Sequence, residues 1–308
     1  GQGGFVIDPG ERLTYECDAL THLREVPGAV VLPGTTEEIQ KVVTLCNRER
    51  VPFVARGAGT GLSGGARPLA DGLLIVTTRL NRILDIDIPN QRITVEPGVA
   101  NLEVSRQVAT HGLYYAPDPS SQQICSIGGN IAENSGGAHC LKYGFTSHHV
   151  LSVEAVLPNG NIVQIDGPAL DAPGLDLLGV LIGSEGTLAI VTKATLRLLR
   201  IPEATQTILA AFNSTDTAAE VVSGIIKAGI IPAAVEMMDR LTIEAAEAAV
   251  HPGFPNAEAI LIVELDGSLV EVEALMQRVE QICYQNNVQS LQRAQDEAER
   301  ARIWKGRK

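Results

Sequence analysis

Three glycine-rich segments, far apart in the sequence, contain the residues best suited to hold a ligand. They span residues 57–65, 126–137 and 183–188. The first carries five glycines together with Thr60 and Ser63, and such a run presents many backbone N–H groups to anionic oxygens, with pyrophosphate as the usual occupant. A flexible solvent loop is the alternative for the first segment alone. The three segments together predict one long ligand that is approached closely from several sides.

The first segment also matches two other motifs whose structural context is missing. Residues 59–64 satisfy the dinucleotide motif G-x-G-x-x-G, and residues 61–65 satisfy the hydrolase motif G-x-S-x-G. Both motifs open a helix, but here Pro68 and Asp71-Gly72 follow and the pattern continues into another strand. We therefore expect neither a nicotinamide-binding Rossmann domain nor a hydrolase. A Walker loop is excluded because the sequence contains no Gly-Lys pair.

The histidines and cysteines offer weaker candidates for chemistry. His148 and His149 are adjacent, so their side chains point apart and cannot easily share one metal ion; we assign them structural roles. For Cys140, beside His139, a place in the core is favoured over a reactive thiol. Five cysteines without a C-x-x-C motif fit neither a disulfide framework nor a zinc ribbon. No metal site is predicted.

The composition describes an acidic, globular chain. Its 308 residues suit about two domains, and 45% of them are hydrophobic. The net charge of −12 should repel nucleic-acid phosphates and anionic membranes. No apolar run approaches the ~20 residues of a membrane span. Because the first residues lack the features of a signal peptide and the cysteines suit a reducing compartment, we expect a cytoplasmic protein.

The elements that must position these segments follow from apolar periodicity and turn signals. Residues 1–204 hold 25 of the 30 glycines and should form the ligand-binding part. Asn101 is expected to cap a helix that stops at Gly112, and Asn159-Gly160 predicts a hairpin. Residues 205–308 alternate strand and helix three times, which predicts an α+β sheet with helices on one face.

The three segments resemble the FAD-binding domain of the vanillyl-alcohol oxidase and p-cresol methylhydroxylase superfamily. Within it, the chain is most similar to the catalytic subunits of bacterial glycolate oxidases (glycolate dehydrogenases), with FAD-linked D-lactate dehydrogenases close behind. The resemblance implies an α+β fold class: a two-subdomain FAD-binding fold of the p-cresol methylhydroxylase type, then an incomplete α+β (ferredoxin-like) cap domain. The implied domains are an N-terminal segment (1–25), an FAD-binding domain (26–204) and a C-terminally truncated FAD-linked oxidase C-terminal domain (205–308).

The same resemblance assigns the residues of a cofactor site. It places the pyrophosphate beside Gly57, Ala58, Gly59, Thr60, Gly61, Leu62 and Ser63. The flavin and its ribityl chain would lie along Pro117, Asp118, Ser121, Ser126, Gly128, Gly129, Asn130, Ala132 and Asn134. The adenosine end would lie beside Glu185, Gly186 and Ile190. The first loop lacks the histidine that binds flavin covalently in some superfamily members, so we expect non-covalent FAD. Gly61 is expected to adopt a positive φ that a branched side chain would resist.

The implied activity is oxidation of a small 2-hydroxy acid, glycolate or D-lactate, by hydride transfer to flavin N5. Arg307 would bind the substrate carboxylate through a bidentate guanidinium; a solvated arginine is the alternative. Electrons would pass to an iron–sulfur partner or a quinone, within a glycolate oxidase complex that has a second FAD-binding subunit and lies peripherally at the inner membrane.

Two expectations complete the comparison with the family. The base is implied in a further C-terminal segment with a Gly-Asp-Gly-Asn motif, so these 308 residues alone should be nearly inactive. The alternatives are a D-lactate dehydrogenase, a non-catalytic FAD-binding subunit of the same complex, and a UDP-N-acetylenolpyruvoylglucosamine reductase. The last shares the FAD fold and would oxidise NADPH.

Overall fold

A computed structural model describes residues 4–167 and 174–307. Contacts within the chain divide it into two compact units. The first unit comprises Gly1–Gly137 and Phe145–Arg200, and the second comprises Ala138–Gly144 and Ile201–Lys308. The domain limits expected after residues 25 and 204 stay predictions.

In the residues that the structure describes, the first unit contains two larger sheets and one short strand pair. The strands of the first sheet are β1 (Phe5–Val6), β2 (Ala29–Val31), β3 (Phe53–Arg56) and β4 (Leu73–Val76). They lie in the order β1-β2-β4-β3, and the last three are parallel. The second sheet and the short pair use β5 (Ile83–Asp87), β6 (Arg92–Val95), β7 (Leu113–Tyr114), β8 (Val150–Val156), β9 (Ile162–Ile165), β10 (Ile190–Arg197) and β11 (Leu199–Arg200). The second sheet is antiparallel in the order β5-β6-β10-β8-β9, and β7 pairs with β11.

One amphipathic helix joins the cores of the two larger sheets. The helices of the first unit are α1 (Pro9–Arg12), α2 (Thr36–Glu49), α3 (Asn101–Val108), α4 (Ile127–Glu133) and α6 (Leu177–Leu181). Helix α2 begins after Thr35, whose hydroxyl accepts a hydrogen bond from the Glu38 N–H at 3.2 Å. Its buried face packs against the first sheet and against Val156 and Ile190 of the second sheet. Apolar burial along α2 therefore holds the two sheets together.

The second unit is a four-stranded antiparallel sheet with helices between its strands. Its elements are α5 (Cys140–Tyr143), β12 (Ala204–Phe212), α7 (Thr215–Lys227), β13 (Ala234–Asp239), α8 (Arg240–Val250), β14 (Ala259–Gly267), α9 (Leu269–Gln285), β15 (Ser290–Arg293) and α10 (Glu297–Arg307). The strand order is β13-β14-β12-β15. This arrangement is ferredoxin-like, with α8 inserted between the second and third strands. The predicted α+β class is confirmed.

Helices cover both faces of this sheet, so the expectation of helices on one face was wrong. Val221 and Ile225 of α7 and Met276 of α9 pack on one face, while Ile243 of α8 and Ile303 of α10 pack on the other. The inner strands therefore have no solvent face, and residues 207–212 and 259–265 are buried without alternation. Continuous apolar runs are typical of strands that are buried on both sides.

The expected hairpin is confirmed, and the expected cap at Asn101 was wrong. Strands β8 and β9 pair in antiparallel register around Asn159-Gly160. Helix α3 is preceded by Ala100 as its N-cap residue, and the Asn101 side chain instead donates to Pro117 O and Asn130 Oδ1, both at 3.0 Å. The Asn101 side chain thus makes two hydrogen bonds to residues distant in sequence and does not cap its own helix. Strand β15 was not predicted because residues 290–293 are short and mostly polar.

The segment Ala138–Gly144 joins the second unit through two acidic residues of β14. The His139 Nε2 atom lies 3.1 Å from Glu264 Oε1. The Tyr143 hydroxyl donates to Asp266 Oδ2 at 2.6 Å, and the Lys142 ammonium also pairs with Asp266. Glu264 and Asp266 are two residues apart on one strand and therefore point to the same face. Polar contacts thus fix this segment.

We predict that Ile225→Ala lowers the free energy of unfolding by about 2–5 kcal/mol, because it opens a cavity in a fully buried position of α7. Ile226→Ala is the matched control: the neighbouring side chain is 45% exposed and its loss should cost less than about 1 kcal/mol. Urea unfolding of the two variants measures both values. Equal destabilisation would contradict the packing of α7.

Candidate cofactor-binding site

An elongated cleft in the first unit brings the three glycine-rich segments together. Two adjoining cavities, both open to solvent, share Ala55, Gly57, Gly129, Ala132 and Glu185 in their walls. The shared residues come from all three segments and from the end of β3. The cleft therefore has the extended form that a long ligand with several distinct parts requires.

The first loop leaves its backbone donors unused. It follows β3, which pairs in parallel register with β4. Among the residues that the structure describes, none accepts a hydrogen bond from the backbone N–H groups of residues 57–66. Such a loop provides donors for anionic oxygens without the need for cationic side chains.

Two glycines of this loop lie close to neighbouring side chains. A Cβ atom on Gly57 would lie 2.4 Å from Ser126 Oγ, and the next nearest atoms belong to the Gly129 backbone. Gly59 has a φ of 72°, and a Cβ atom there would overlap the Arg56 guanidinium. The backbone of the first loop thus lies directly against the second segment.

The second and third segments are joined by their backbones. Ser126 is the N-cap of α4, and its Oγ accepts from the Gly129 N–H at 3.3 Å. At the other end of α4, the Gly183 N–H donates to Ile131 O at 2.9 Å, and the Glu185 N–H donates to Ala132 O at 2.8 Å. The short helix therefore carries the third segment on its C-terminal end and the first loop against its N-terminal end.

Carboxylates outnumber cations in the walls of the cleft. Asp18, Glu133 and Glu185 line it together with one guanidinium, that of Arg56. Burial lowers the pKa of Arg56 below its ordinary value, and Asp18 opposes this effect. The Arg56 Nη1 donates to Cys17 O at 2.6 Å, and the Tyr15 ring lies 5.9 Å away. Backbone N–H groups must therefore supply much of the attraction for an anion here.

Most of the residues assigned to the cofactor line this cleft. Those in its walls are Gly57, Ala58, Gly59, Thr60, Gly61, Ser121, Ser126, Gly128, Gly129, Asn130, Ala132, Glu185, Gly186 and Ile190. The structure gives the others different surroundings. Leu62 is exposed, Ser63 donates to Glu133, and Pro117 is buried with its carbonyl bonded to Asn101. The Asp118 side chain lies against Gly137, and Asn134 Oδ1 accepts from the Ser147 N–H at 3.0 Å.

Sequence reasoning missed several wall residues and misjudged one glycine. Asp18, Cys125 and Glu133 line the first cavity, and Thr77 and Pro97 line the second. Asp18 gave no usable signal because its contact with the loop comes from a distant segment.

Gly61 does not have a positive φ, and a Cβ atom there would come no nearer than 3.5 Å to its closest neighbour, Glu133 Oε1. The expected positive φ at Gly61 was therefore wrong, while the expectation that a side chain there would block the approach of the backbone to the pyrophosphate stays a prediction.

The remaining candidates lie outside the cleft. His149 is buried, with its ring edge-on to Tyr115 at 6.0 Å, whereas His148 is exposed and its Nδ1 accepts from the Phe145 N–H. These separate surroundings agree with structural roles. Arg307, in the last turn of α10, lies with its Nη2 3.1 Å from Glu236 Oε1.

Two known protein families match the two halves of the chain. The family described as "FAD binding domain" matches residues 27–166, and the family described as "FAD linked oxidases, C-terminal domain" matches residues 201–308. Two solved structures of alkyldihydroxyacetonephosphate synthase share the fold, with TM-scores of 0.80 and 0.83 at 21% identity. They are matched over 99% of this chain and over 61% and 65% of their own lengths.

Closely similar sequences carry related names. The chain is 50% identical over 299 residues to the glycolate oxidase subunit GlcD of Escherichia coli K12, and 44% identical over 301 residues to that of Bacillus subtilis. Each match covers 97% of this chain, which spans 60% and 64% of those two relatives. A probable mitochondrial D-lactate dehydrogenase of Danio rerio is 30% identical, with 100% of this chain and 62% of the relative covered.

The fold and the glycine-lined cleft define a flavin-dinucleotide-binding domain followed by an α+β domain. The chain belongs to the FAD-linked oxidases that combine these two domains, within the vanillyl-alcohol oxidase and p-cresol methylhydroxylase superfamily. The expected family, fold class and FAD cofactor are confirmed. Across residues 4–167 and 174–307, no helix is long and apolar enough to cross a bilayer.

We predict that Gly61→Val removes FAD binding but changes the free energy of unfolding of the apoprotein by less than about 0.5 kcal/mol, because the atom nearest to a Cβ there is 3.5 Å away. Gly57→Ala, by contrast, should displace Ser126 from the end of α4 and cost about 1 kcal/mol. FAD titration and urea unfolding of both variants check this. If Gly61→Val binds FAD as tightly as the parent, the loop does not contact the cofactor.

We predict that FAD is held without a covalent bond, since Thr60 stands where a histidine binds flavin in some superfamily members. Acid precipitation of the full-length holoprotein should leave the yellow flavin in the supernatant. A known covalent flavoprotein, treated in parallel, should retain colour in the pellet. Flavin that stays with the precipitate would overturn this prediction.

Proposed function

We propose that the full-length protein uses FAD to oxidise a small 2-hydroxy acid, glycolate or D-lactate, to the corresponding 2-oxo acid. The observation that carries the proposal is the 44–50% identity to glycolate oxidase subunits along 97% of the chain. The similarity to proteins named D-lactate dehydrogenases, at 30–34% identity, keeps the second substrate in the proposal. The two candidates require the same chemistry and differ by one methyl group.

The first unit holds the cofactor in this proposal. The backbone N–H groups of residues 57–63 bind the pyrophosphate, and the wall from Ser121 to Ala132 lies along the flavin and its ribityl chain. Glu185, Gly186 and Ile190 hold the adenosine end. This fit is supported by Gly57 and Gly59, where a Cβ atom would overlap neighbouring side chains. When bound, FAD supplies a hydride acceptor at flavin N5.

Arg307 binds the substrate carboxylate in this proposal. A guanidinium presents five N–H donors in a planar fork, which suits bidentate binding of a carboxylate. Arg307 contacts Glu236 through Nη2. The other N–H donors of the guanidinium can therefore bind a substrate carboxylate. This fixes the orientation of the α-carbon and its hydroxyl group, which is the main contribution that positioning makes to such reactions.

The hydroxyl proton needs an acceptor, and neither His148 nor His149 is assigned that role, because one is exposed and the other is packed in the core. We place the acceptor in the C-terminal Gly-Asp-Gly-Asn segment that the family resemblance implies for the full-length protein. The removal of this proton and the transfer of the α-hydrogen then complete a two-electron oxidation.

The relatives' name supports a further part of the proposal. GlcD is named as a subunit of glycolate oxidase, and we propose that this protein likewise works in a complex of several subunits. An iron–sulfur subunit or a quinone takes the two electrons, and a second FAD-binding subunit completes the complex. We place this complex on the cytoplasmic side of the inner membrane, attached through the partner subunits.

We predict that anaerobic mixing of the full-length holoprotein with glycolate or D-lactate bleaches the visible flavin band, whereas acetate, which has the carboxylate but no hydroxyl group, does not. The faster of the two substrates identifies the physiological one. Bleaching by NADPH alone would favour the reductase alternative, and no bleaching by any 2-hydroxy acid would favour a non-catalytic FAD-binding subunit.

A further inference from the structure

A buried carboxylate in the second unit collects an unusual number of donors. Glu264, on β14, is 1% exposed. It accepts from Thr207 Oγ1 at 2.6 Å, from Arg300 Nε at 2.9 Å and from Trp304 Nε1 at 2.6 Å. The His139 Nε2 atom lies 3.1 Å from its other oxygen. Side chains from three separate parts of the chain thus meet at the Glu264 carboxylate.

These contacts keep Glu264 ionised in spite of its burial. Burial raises the pKa of the carboxyl group, but the hydrogen bonds and the Arg300 charge together lower it to about 2. Buried ion pairs are often no more stabilising than well-packed apolar side chains of the same volume. A purely structural need would therefore be met by an apolar residue, and the charge points to a requirement for a defined geometry.

Two of the donors lie on α10, the helix that carries Arg307. Arg300, Trp304 and Arg307 are separated by four and three residues, so they lie on one face of the helix. Ile303 is the one buried residue of α10 within the described chain. The Arg302 guanidinium of this helix also donates to Pro252 O, and the hydrogen bonds from Arg300 and Trp304 to Glu264 hold the face of α10 that carries Arg307.

We propose that Glu264 is a positioning residue: it fixes the rotation of α10 and so holds the Arg307 guanidinium where it binds the substrate carboxylate. This inference rests on the role proposed above for Arg307. Glu264 contacts neither substrate nor cofactor in this account. Its effect reaches the reaction through Arg300 and Trp304, and its loss should weaken substrate binding more than the hydride transfer itself.

Three variants of the full-length protein test this inference. Trp304→Phe removes one donor to Glu264 and keeps an aromatic ring. Glu264→Gln removes the charge. Glu297→Gln is the matched control, because Glu297 also pairs with Arg300, at 2.9 Å, but its side chain is 78% exposed, and exposed pairs contribute little. FAD content and thermal unfolding of each variant show whether it is folded.

The expected result is a split between KM and kcat. Trp304→Phe and Glu264→Gln should raise KM for the 2-hydroxy acid by about tenfold or more, because the substrate carboxylate loses well-aligned charge-assisted hydrogen bonds from Arg307. The limiting rate of flavin reduction and the FAD content should change little, and Glu297→Gln should leave KM unchanged. An unchanged KM in Trp304→Phe, or an equal rise in Glu297→Gln, would overturn the inference. Trp304→Phe decides the matter if Glu264→Gln does not fold.

A second measurement separates this inference from the proposed function. Phenylglyoxal modifies exposed guanidinium groups, and mass spectrometry of the digested holoprotein gives the rate at Arg307. Faster modification in Trp304→Phe than in the parent and in Glu297→Gln is expected, because a loosened α10 weakens the contact with Glu236. Equal rates in all three would show that Glu264 does not position Arg307. If the parent oxidises no 2-hydroxy acid, the proposed function fails while this measurement still decides the positioning role.

Discussion

The close approach between Gly57 and the turn that begins α4 is the constraint on which the cofactor cleft depends. A Cβ atom at position 57 would lie 2.4 Å from Ser126 Oγ, so a side chain there would have to displace the cap of α4. The close approach places the loop after β3 at one end of α4. The other end of α4 accepts hydrogen bonds from Gly183 and Glu185. Through this short helix, three segments distant in sequence form one wall.

The two units hold their functional groups by different physical means. In the first unit, the backbone itself forms the site, and side chains are excluded where they would fill it. In the second unit, a buried charge fixes a helix that carries a candidate substrate-binding residue. The first arrangement suits an elongated ligand that must be contacted along its length. The second suits a small ligand that must be oriented through a single group.

Much of this arrangement follows from local sequence patterns, and the remainder depends on distant contacts. The hairpin at Asn159-Gly160 has a local cause and was predicted. The alternation of strands and helices predicts one covered face, whereas helices pack on both faces of the sheet. Asn101 looks like a cap, and only the folded chain shows its bond to Asn130.

Glu264 had a signal that went unused: it is a lone acidic residue within an apolar strand run, and such a residue needs buried donors. Its partners lie up to 125 positions away in the sequence, so no spacing rule identifies them. The most direct test of the account as a whole is a crystal structure of the full-length holoprotein. The account predicts FAD phosphate oxygens within about 2.7–3.2 Å of backbone nitrogens of residues 57–63. A pyrophosphate bound elsewhere, or held by side chains alone, would contradict it.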